Sequence, residues 1–301
     1  EIEVLTWKRE GDEYLFPRGD LGKLDKVFHD FHIDDKRAAP ALGYDLQMKE
    51  GHSLYPHQQV VYDQWARYKY GLIEAPTGWG KSVLECFQIV QLGVRTLVLA
   101  AETTHIKVLY EALYEHTNIE DLEKEAGCAI VGILNEETKF KPSGTKYTRP
   151  QYGAYYPITL TTFQALNSDR GKKLLPELAD KFGFMLLEEP QHEAAETFHT
   201  VSKTMNCYYR SGATATPTRG DRMECVIYDT IGPIVAIASQ KAAIPKVQFI
   251  HTQILVPDSC FKGMYVWSTV ASHLASNRTY FDRILDQLND DFKAGRKVLL
   301  Y

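Results

Sequence analysis

Short, continuously apolar runs alternate through most of this chain with longer stretches in which apolar positions recur every three or four residues. Gly71 to Ala75, Thr96 to Ala100, Cys128 to Ile133, Ile158 to Thr161 and Phe184 to Leu187 read as strands. The stretches between them have the length and period of amphipathic helices. Leu97-Val98-Leu99-Ala100-Ala101 and Phe184-Met185-Leu186-Leu187 lack a polar face altogether. Strands of that kind belong inside a parallel sheet covered by helices on both faces. The pattern therefore predicts an α/β domain whose ligands bind at the carboxyl ends of its strands.

The first fifty residues break this rhythm. Ile2 to Trp7 reads as a strand, Gly11-Asp12 as a turn and Tyr14 to Phe16 as the returning strand of a hairpin. Leu21, Leu24, Val27, Phe28 and Phe31 follow at helical spacing, with Asp20 as the N-cap. His29 and His32 share that helix at i, i+3 without further ligands, so they read as surface residues. A second interruption, Lys139 to Pro157, reads as a long surface loop or hairpin. Its Lys141, Lys146, Tyr147, Tyr152, Tyr155 and Tyr156 combine charges for phosphates with rings for bases. From Ile244 to Tyr301 strand and helix signals resume as the opening of another α/β unit. The expected division is a small α+β module over 1–51, the main α/β domain over 52–240, and a linker with the start of a further domain over 241–301.

Composition narrows the class. At 301 residues the chain is long enough for two domains and for a core that needs no disulfide or metal staple. A net charge of -5 excludes a polycation that coats nucleic acid or anionic lipid by bulk electrostatics, and leaves room for a local phosphate cleft. Cys86, Cys128, Cys207, Cys225 and Cys260 form no C-x-x-C pair, which fits plain thiols in a reducing compartment. No apolar run approaches the roughly 18 residues that span a bilayer, and the charged first twenty residues have no signal-peptide core. An intracellular protein without a membrane partner is expected.

The densest chemistry lies in Ala75-Pro76-Thr77-Gly78-Trp79-Gly80-Lys81-Ser82, between the strand Leu72-Ile73-Glu74 and the helical positions Val83, Leu84, Phe87 and Val90. Closely spaced backbone N–H groups that cradle a phosphate chain require residues without a Cβ where the loop curls, here Gly78 and Gly80. Lys81 supplies a point charge to the β- and γ-phosphates, Ser82 a hydroxyl to Mg²⁺, and the helix N-terminus a partial positive charge. A phosphate-loop ATPase also needs a carboxylate on the metal and another near the attacking water. Phe184-Met185-Leu186-Leu187-Glu188-Glu189 is a strand that runs straight into paired acids. Glu188 is expected to hold Mg²⁺ and Glu189 to orient or activate the water.

A-P-T-G-W-G-K-S, the E-E-P-Q segment Glu188 to Gln191, and Ser211-Gly212-Ala213-Thr214-Ala215-Thr216-Pro217 together resemble motifs I, II and III of superfamily 2 helicases. T-A-T-P with Thr218-Arg219 and then Ile231-Gly232-Pro233-Ile234 is most similar to the XPB and UvsW type. The resemblance covers about residues 52 to 235, and Tyr14 to Gly19 also looks like the N-terminal module of phage members. It implies a RecA-like motor domain that hydrolyses ATP with Mg²⁺ and moves on single-stranded, duplex or branched DNA in repair, recombination or branch migration.

The same resemblance distributes further roles. Leu54-Tyr55-Pro56-His57-Gln58-Gln59 is similar to the adenine-recognition motif, with Gln58 as base-reading amide and Tyr55 as a stacking ring. The nucleotide set is then Tyr55, Gln58, Thr77, Gly78, Trp79, Gly80, Lys81 and Ser82. Thr161-Thr162-Phe163-Gln164 resembles a DNA-backbone segment, as Thr103 and Thr104 do after the fourth strand signal, where the family's usual Pro and basic residue are missing. Thr214 and Thr216, with Gln191 and His192, are implied to link the ATP and DNA sides. The chain also departs from the family at Glu188, where Asp is usual, and at Tyr55, where Arg is common. A longer acid on Mg²⁺ implies restrained hydrolysis. The stretch before Tyr301 resembles the beginning of the second motor domain, expected to be incomplete. Two alternatives remain open at this point: a duplex translocase without strand separation, and an ATP-regulated DNA-binding module impaired in hydrolysis.

Overall fold

The computed structural model describes residues 8–10, 13–15, 35, 37–134, 151–152, 156–190, 195–216, 224–239, 257 and 267–295. The chain divides into two compact units, Glu1–Ala242 and Ala243–Tyr301.

The first unit opens with a hairpin, β1 (Lys8–Glu10) and β2 (Glu13–Leu15), paired antiparallel from Glu10↔Glu13 outward. The second of these strands overlaps the expected returning strand at Tyr14 and Leu15. The expected strand Ile2 to Trp7 and helix Leu21 to Phe31 lie outside the described residues.

The main sheet contains β3 (Leu72–Glu74), β4 (Thr96–Ala100), β5 (Val131–Leu134), β6 (Gln151–Tyr152), β7 (Ile158–Thr162), β8 (Phe184–Glu188), β9 (Tyr209–Thr214) and β10 (Ile234–Ile237). Its order is β10-β3-β9-β8-β4-β7-β5-β6, and every neighbouring pair is parallel. Residues alternate between faces along each strand, and the two cores follow that alternation. Val98, Ala100, Phe184 and Leu186 face α1 (Pro56–Ala66), α2 (Lys81–Leu92), α3 (Thr103–His116) and α4 (Ile119–Ala126). Leu97, Leu99, Met185 and Leu187 face α5 (Phe163–Asn167), α6 (Asp169–Leu178), α7 (Ala195–Thr204) and α8 (Glu224–Ile231). This is the α/β architecture that the apolar runs predict, a parallel sheet with helices on both faces.

Three strands escape the hydrophobic pattern. β9 carries Arg210, Ser211 and Gly212 at its centre, β10 is a short edge strand, and β6 is two residues long inside the stretch expected to be surface loop. Residues 37–54 are held to the main sheet by bridges Ala38↔Cys207, Ala41↔Val94 and Met48↔Thr117, and Leu42, Leu46 and Leu54 join its first core. The second unit contains α9 (Trp267–Ala275) and α10 (Arg278–Lys293), the latter capped by Asn277 Oδ1 accepting from the Tyr280 N–H.

Candidate nucleotide site

The loop after β3 turns back on itself through a Trp79 N–H to Pro76 carbonyl bond of 3.2 Å, with Gly78 at φ 78° and Gly80 at φ 96°. Both angles lie in the left-handed region that favours glycine. Gly80 is the N-cap of α2, so Lys81 and Ser82 stand on its first turn, where unpaired N–H groups concentrate positive charge. Beneath the loop, Gln58 is 1% exposed. Its Nε2 donates to the carbonyls of Trp79 and Gly80, each at 3.3 Å, and its Oε1 accepts from the Tyr55 N–H at 2.9 Å. Both ends of the amide expected to read a base are thus engaged in bracing the loop against the start of α1. Trp79 is buried edge-on to the His57 ring at 5.5 Å, and His57 stacks on Tyr55 at 5.8 Å and 6°. Tyr55 is 66% exposed and presents a ring surface beside the loop, whose Thr77 and Gly78 are also exposed.

Strand order brings the acids to this loop. β9 lies between β3 and β8, with Glu74 level with Thr214 and Glu188 level with Ala213. The Ala75 N–H donates to the Thr214 carbonyl at 2.9 Å and the Glu189 N–H to the Ala213 carbonyl at 3.1 Å, so all three strands end at one level. Glu189 then leaves at φ 47°, a left-handed conformation rare for a side chain with a Cβ, and its Oε1 accepts from the Lys81 ammonium. Glu188 is buried on the α2 side of the sheet. Opposite it stands Glu85, one turn into α2 and 1% exposed. Burial, and after it the neighbouring Glu188 carboxylate, hold the Glu85 carboxyl well above its ordinary range. As carboxylates, the two leave both Glu85 oxygens without a donor among the described residues. A proton on Glu85 turns it into the donor to Glu188. Ser82 on the first turn of α2 and Glu188 on the α2 side of the sheet carry oxygen ligands of the kind that suits Mg²⁺.

The remaining expected residues are placed as follows. Thr214 is buried, and its Oγ1 accepts from the Thr216 N–H at 3.0 Å. Thr161 Oγ1 donates to the Leu134 carbonyl at 2.6 Å, and Thr162 Oγ1 caps α5 by accepting from the Ala165 N–H at 3.2 Å. Both hydroxyls therefore have partners inside the protein. Thr103 opens α3 on the surface, and Thr104 Oγ1 donates to Glu102 at 3.1 Å. Gln191, His192, the Lys139 to Arg149 segment, His29 and His32 lie outside the described residues. Sequence reasoning missed Glu85, Gln88 and Arg210, all buried. The available signal was a polar residue on the otherwise apolar face of a helix or strand.

The family model described as "Type III restriction enzyme, res subunit" matches residues 51–219, from the approach to α1 through the loop, the acids and the end of β9. The chain belongs to this family. It is 25% identical over 198 residues to a protein of Halobacterium salinarum named as a putative DNA 3'-5' helicase Rad25, covering 66% of this chain and 28% of that one. It is 23% identical over 232 residues to the DNA 3'-5' translocase XPB2 of Sulfurisphaera tokodaii, covering 77% of this chain and 46% of that one. The chain thus spans less than half the length of these relatives. Among solved structures, the UvsW helicase of bacteriophage T4 superposes with a TM-score of 0.50 at 14% identity, covering 75% of this chain and 80% of that one. The resemblance to superfamily 2 helicases of the XPB and UvsW type holds, and so does the RecA-like sheet.

Proposed function

We propose that this chain carries the ATP-binding motor domain of a DNA helicase or translocase, and that ATP hydrolysis drives its movement on DNA. The observation that carries the reading is the contact of Lys81, on the first turn of α2 after the glycine loop, with Glu189 at the carboxyl end of β8, which the sheet places one strand away from β3. The loop N–H groups and Lys81 bind the phosphates, Ser82 and Glu188 hold Mg²⁺, and Glu189 takes a proton from the attacking water. Mg²⁺ when bound supplies charge neutralisation at the phosphates. Tyr55 stacks on the base while Gln58 keeps the loop in shape, and Thr214 and Thr216 connect the nucleotide to the DNA side. Thr103 and the backbone around Thr162 meet DNA phosphates with N–H and hydroxyl donors, so an acidic chain needs no basic face.

The names of the relatives, a DNA helicase and a DNA translocase, support DNA as partner; ATP with Mg²⁺ as fuel, and action inside the cell in repair, recombination or branch migration, complete the proposal. No helix among the described residues is long and apolar enough to cross a membrane. The test is binding of a fluorescent ATP analogue with Mg²⁺ and hydrolysis with and without DNA, in the parent and Lys81→Ala. Binding lost in the variant, together with DNA-stimulated turnover, supports the motor. Absence of both in the parent overturns it.

A second reading is favoured by one feature. Glu188 is wedged against buried Glu85, an arrangement that restrains a metal-holding carboxylate. Binding of ATP and DNA without turnover, with turnover appearing in Glu188→Asp, would mark an ATP-regulated clamp.

A further inference from the structure

Between α2 and the sheet two buried polar pairs interrupt the apolar packing: Glu85 against Glu188 of β8 and, further along the helix, Gln88 against Ser211 of β9. Gln88 and Ser211 are both 0% exposed, and the Gln88 Nε2 donates to the Ser211 Oγ at 3.1 Å, joining positions 123 residues apart. Leu84, Ile89, Ile73 and Leu186 of the first core belong to the elements that this bond joins or adjoins. The Gln88 Oε1 has no hydrogen-bond partner among the described residues. A buried amide with one oxygen unmet loses more in desolvation than a single hydrogen bond returns, so the pair is not there for stability. Apolar packing alone lets a helix settle in neighbouring registers at similar energy, and one directional bond in a low-dielectric layer selects among them.

The two ends of this bond lie on the two parts that must communicate. Gln88 is two turns beyond Lys81 on the same face of α2, since residues seven apart return to one side of a helix. Ser211 pairs with Leu186, two residues before Glu188, and stands three residues before Thr214 on β9. We infer that Gln88 is a positioning residue, which through Ser211 pins α2 to β9 so that nucleotide at the phosphate loop is felt at Thr214 to Thr216. This rests on the ATP-binding reading above. A small shift of α2 on binding phosphate is carried to β9 through the bond. Without it α2 remains tied to β8 through Glu85 and Glu188, and β9 no longer follows the helix.

The experiment measures hydrogen exchange of residues 211–216 in the 301-residue chain with and without the non-hydrolysable analogue AMP-PNP and Mg²⁺. The parent, Gln88→Met, Ser211→Ala and the double variant are compared, with affinity for a fluorescent ATP analogue and thermal midpoint measured beside them. In the parent, nucleotide slows exchange of this segment at least about fivefold, the low end of typical coupling between sites. Each single variant loses that response while keeping the parent's nucleotide affinity, and the double variant is no worse than either single one. Gln88→Met keeps or raises the thermal midpoint, a split between stability and response that a merely structural residue does not give. Variants that bind nucleotide and keep the parent's response overturn the inference alone, as does a parent that binds without any response. A parent that does not bind overturns the ATP-binding reading and the inference with it.

Discussion

The ammonium of Lys81 donates to Oε1 of Glu189, 108 residues further along the chain. The two side chains are mostly buried and neutralise each other at the mouth of the phosphate loop. In the proposed ATP site, phosphate oxygens would compete with Glu189 for the same ammonium and release the carboxylate towards water, so that loading of the site and arming of the proposed base would be one event.

Glu189→Gln separates the two roles. The amide still accepts a hydrogen bond from Lys81 but takes no proton from water. Hydrolysis is expected to fall by about 10²–10⁴-fold, the range for loss of a general base, with ATP affinity retained or increased. Steady-state ATPase rates set against analogue binding check this; a parallel loss of both would place Glu189 in binding instead.

The two loop glycines differ in what a methyl group meets. An added Cβ at Gly80 falls 2.5 Å from the Gln58 Nε2, at φ 96°, whereas at Gly78 it meets nothing within 4 Å at φ 78°. Gly80→Ala combines backbone strain with displacement of the brace and is expected to cost about 1 kcal/mol or more of stability. Gly78→Ala carries the strain alone and costs less. Chemical denaturation of the two variants, with nucleotide titrations, ranks them.

Glu85 makes stability depend on pH in a definite direction. Its folded-state affinity for a proton is raised, by burial first and by Glu188 next, so the folded chain keeps a proton that the unfolded chain releases. The stabilisation is complete below the unfolded value of about 4.3 and is lost as pH rises from there through the folded value. Glu85→Gln keeps the donor to Glu188 without the ionisation. A rise in thermal midpoint of about 2–4 °C at pH 7, the shift that about 1 kcal/mol gives at this size, is expected with a flatter pH profile. An unchanged profile would show that Glu85 is not the group concerned.

A histidine pair makes stability depend on pH in the opposite direction. His52 Nδ1 and His116 Nδ1 lie 2.7 Å apart, an arrangement in which one donates and the other accepts. Burial lowers the proton affinity of His116, with Glu115 opposing and His52 and Lys49 assisting. Its folded value therefore lies below the unfolded value of about 6.5; the stabilisation is present above that pH and is lost as pH falls through the folded value. Between pH 5 and 7.5 the thermal midpoint of the parent should fall relative to that of His116→Asn as the pH is lowered.

What the sequence by itself determined is local. Gly78, Gly80, Lys81 and Ser82 specify a tightly curled loop at a helix N-terminus because backbone conformation and helix-end charge depend on residues a few positions apart. The double-sided apolar runs at Thr96 to Ala100 and Phe184 to Leu187 specify buried parallel strands because only helices on both faces can cover them. Tertiary structure alone decided which strands are neighbours, since parallel pairs are joined by long crossovers whose order leaves no period in the sequence. The placement of β9 between β3 and β8 brings Glu189 to Lys81 and Ser211 to Gln88, although β9 itself is too polar at its centre to be read as a strand. Gln58, Glu85 and Gln88 carry no mark of burial in themselves. Whether an amide or a carboxyl is inside depends on what packs over it, and that is a property of the assembled sheet and helices.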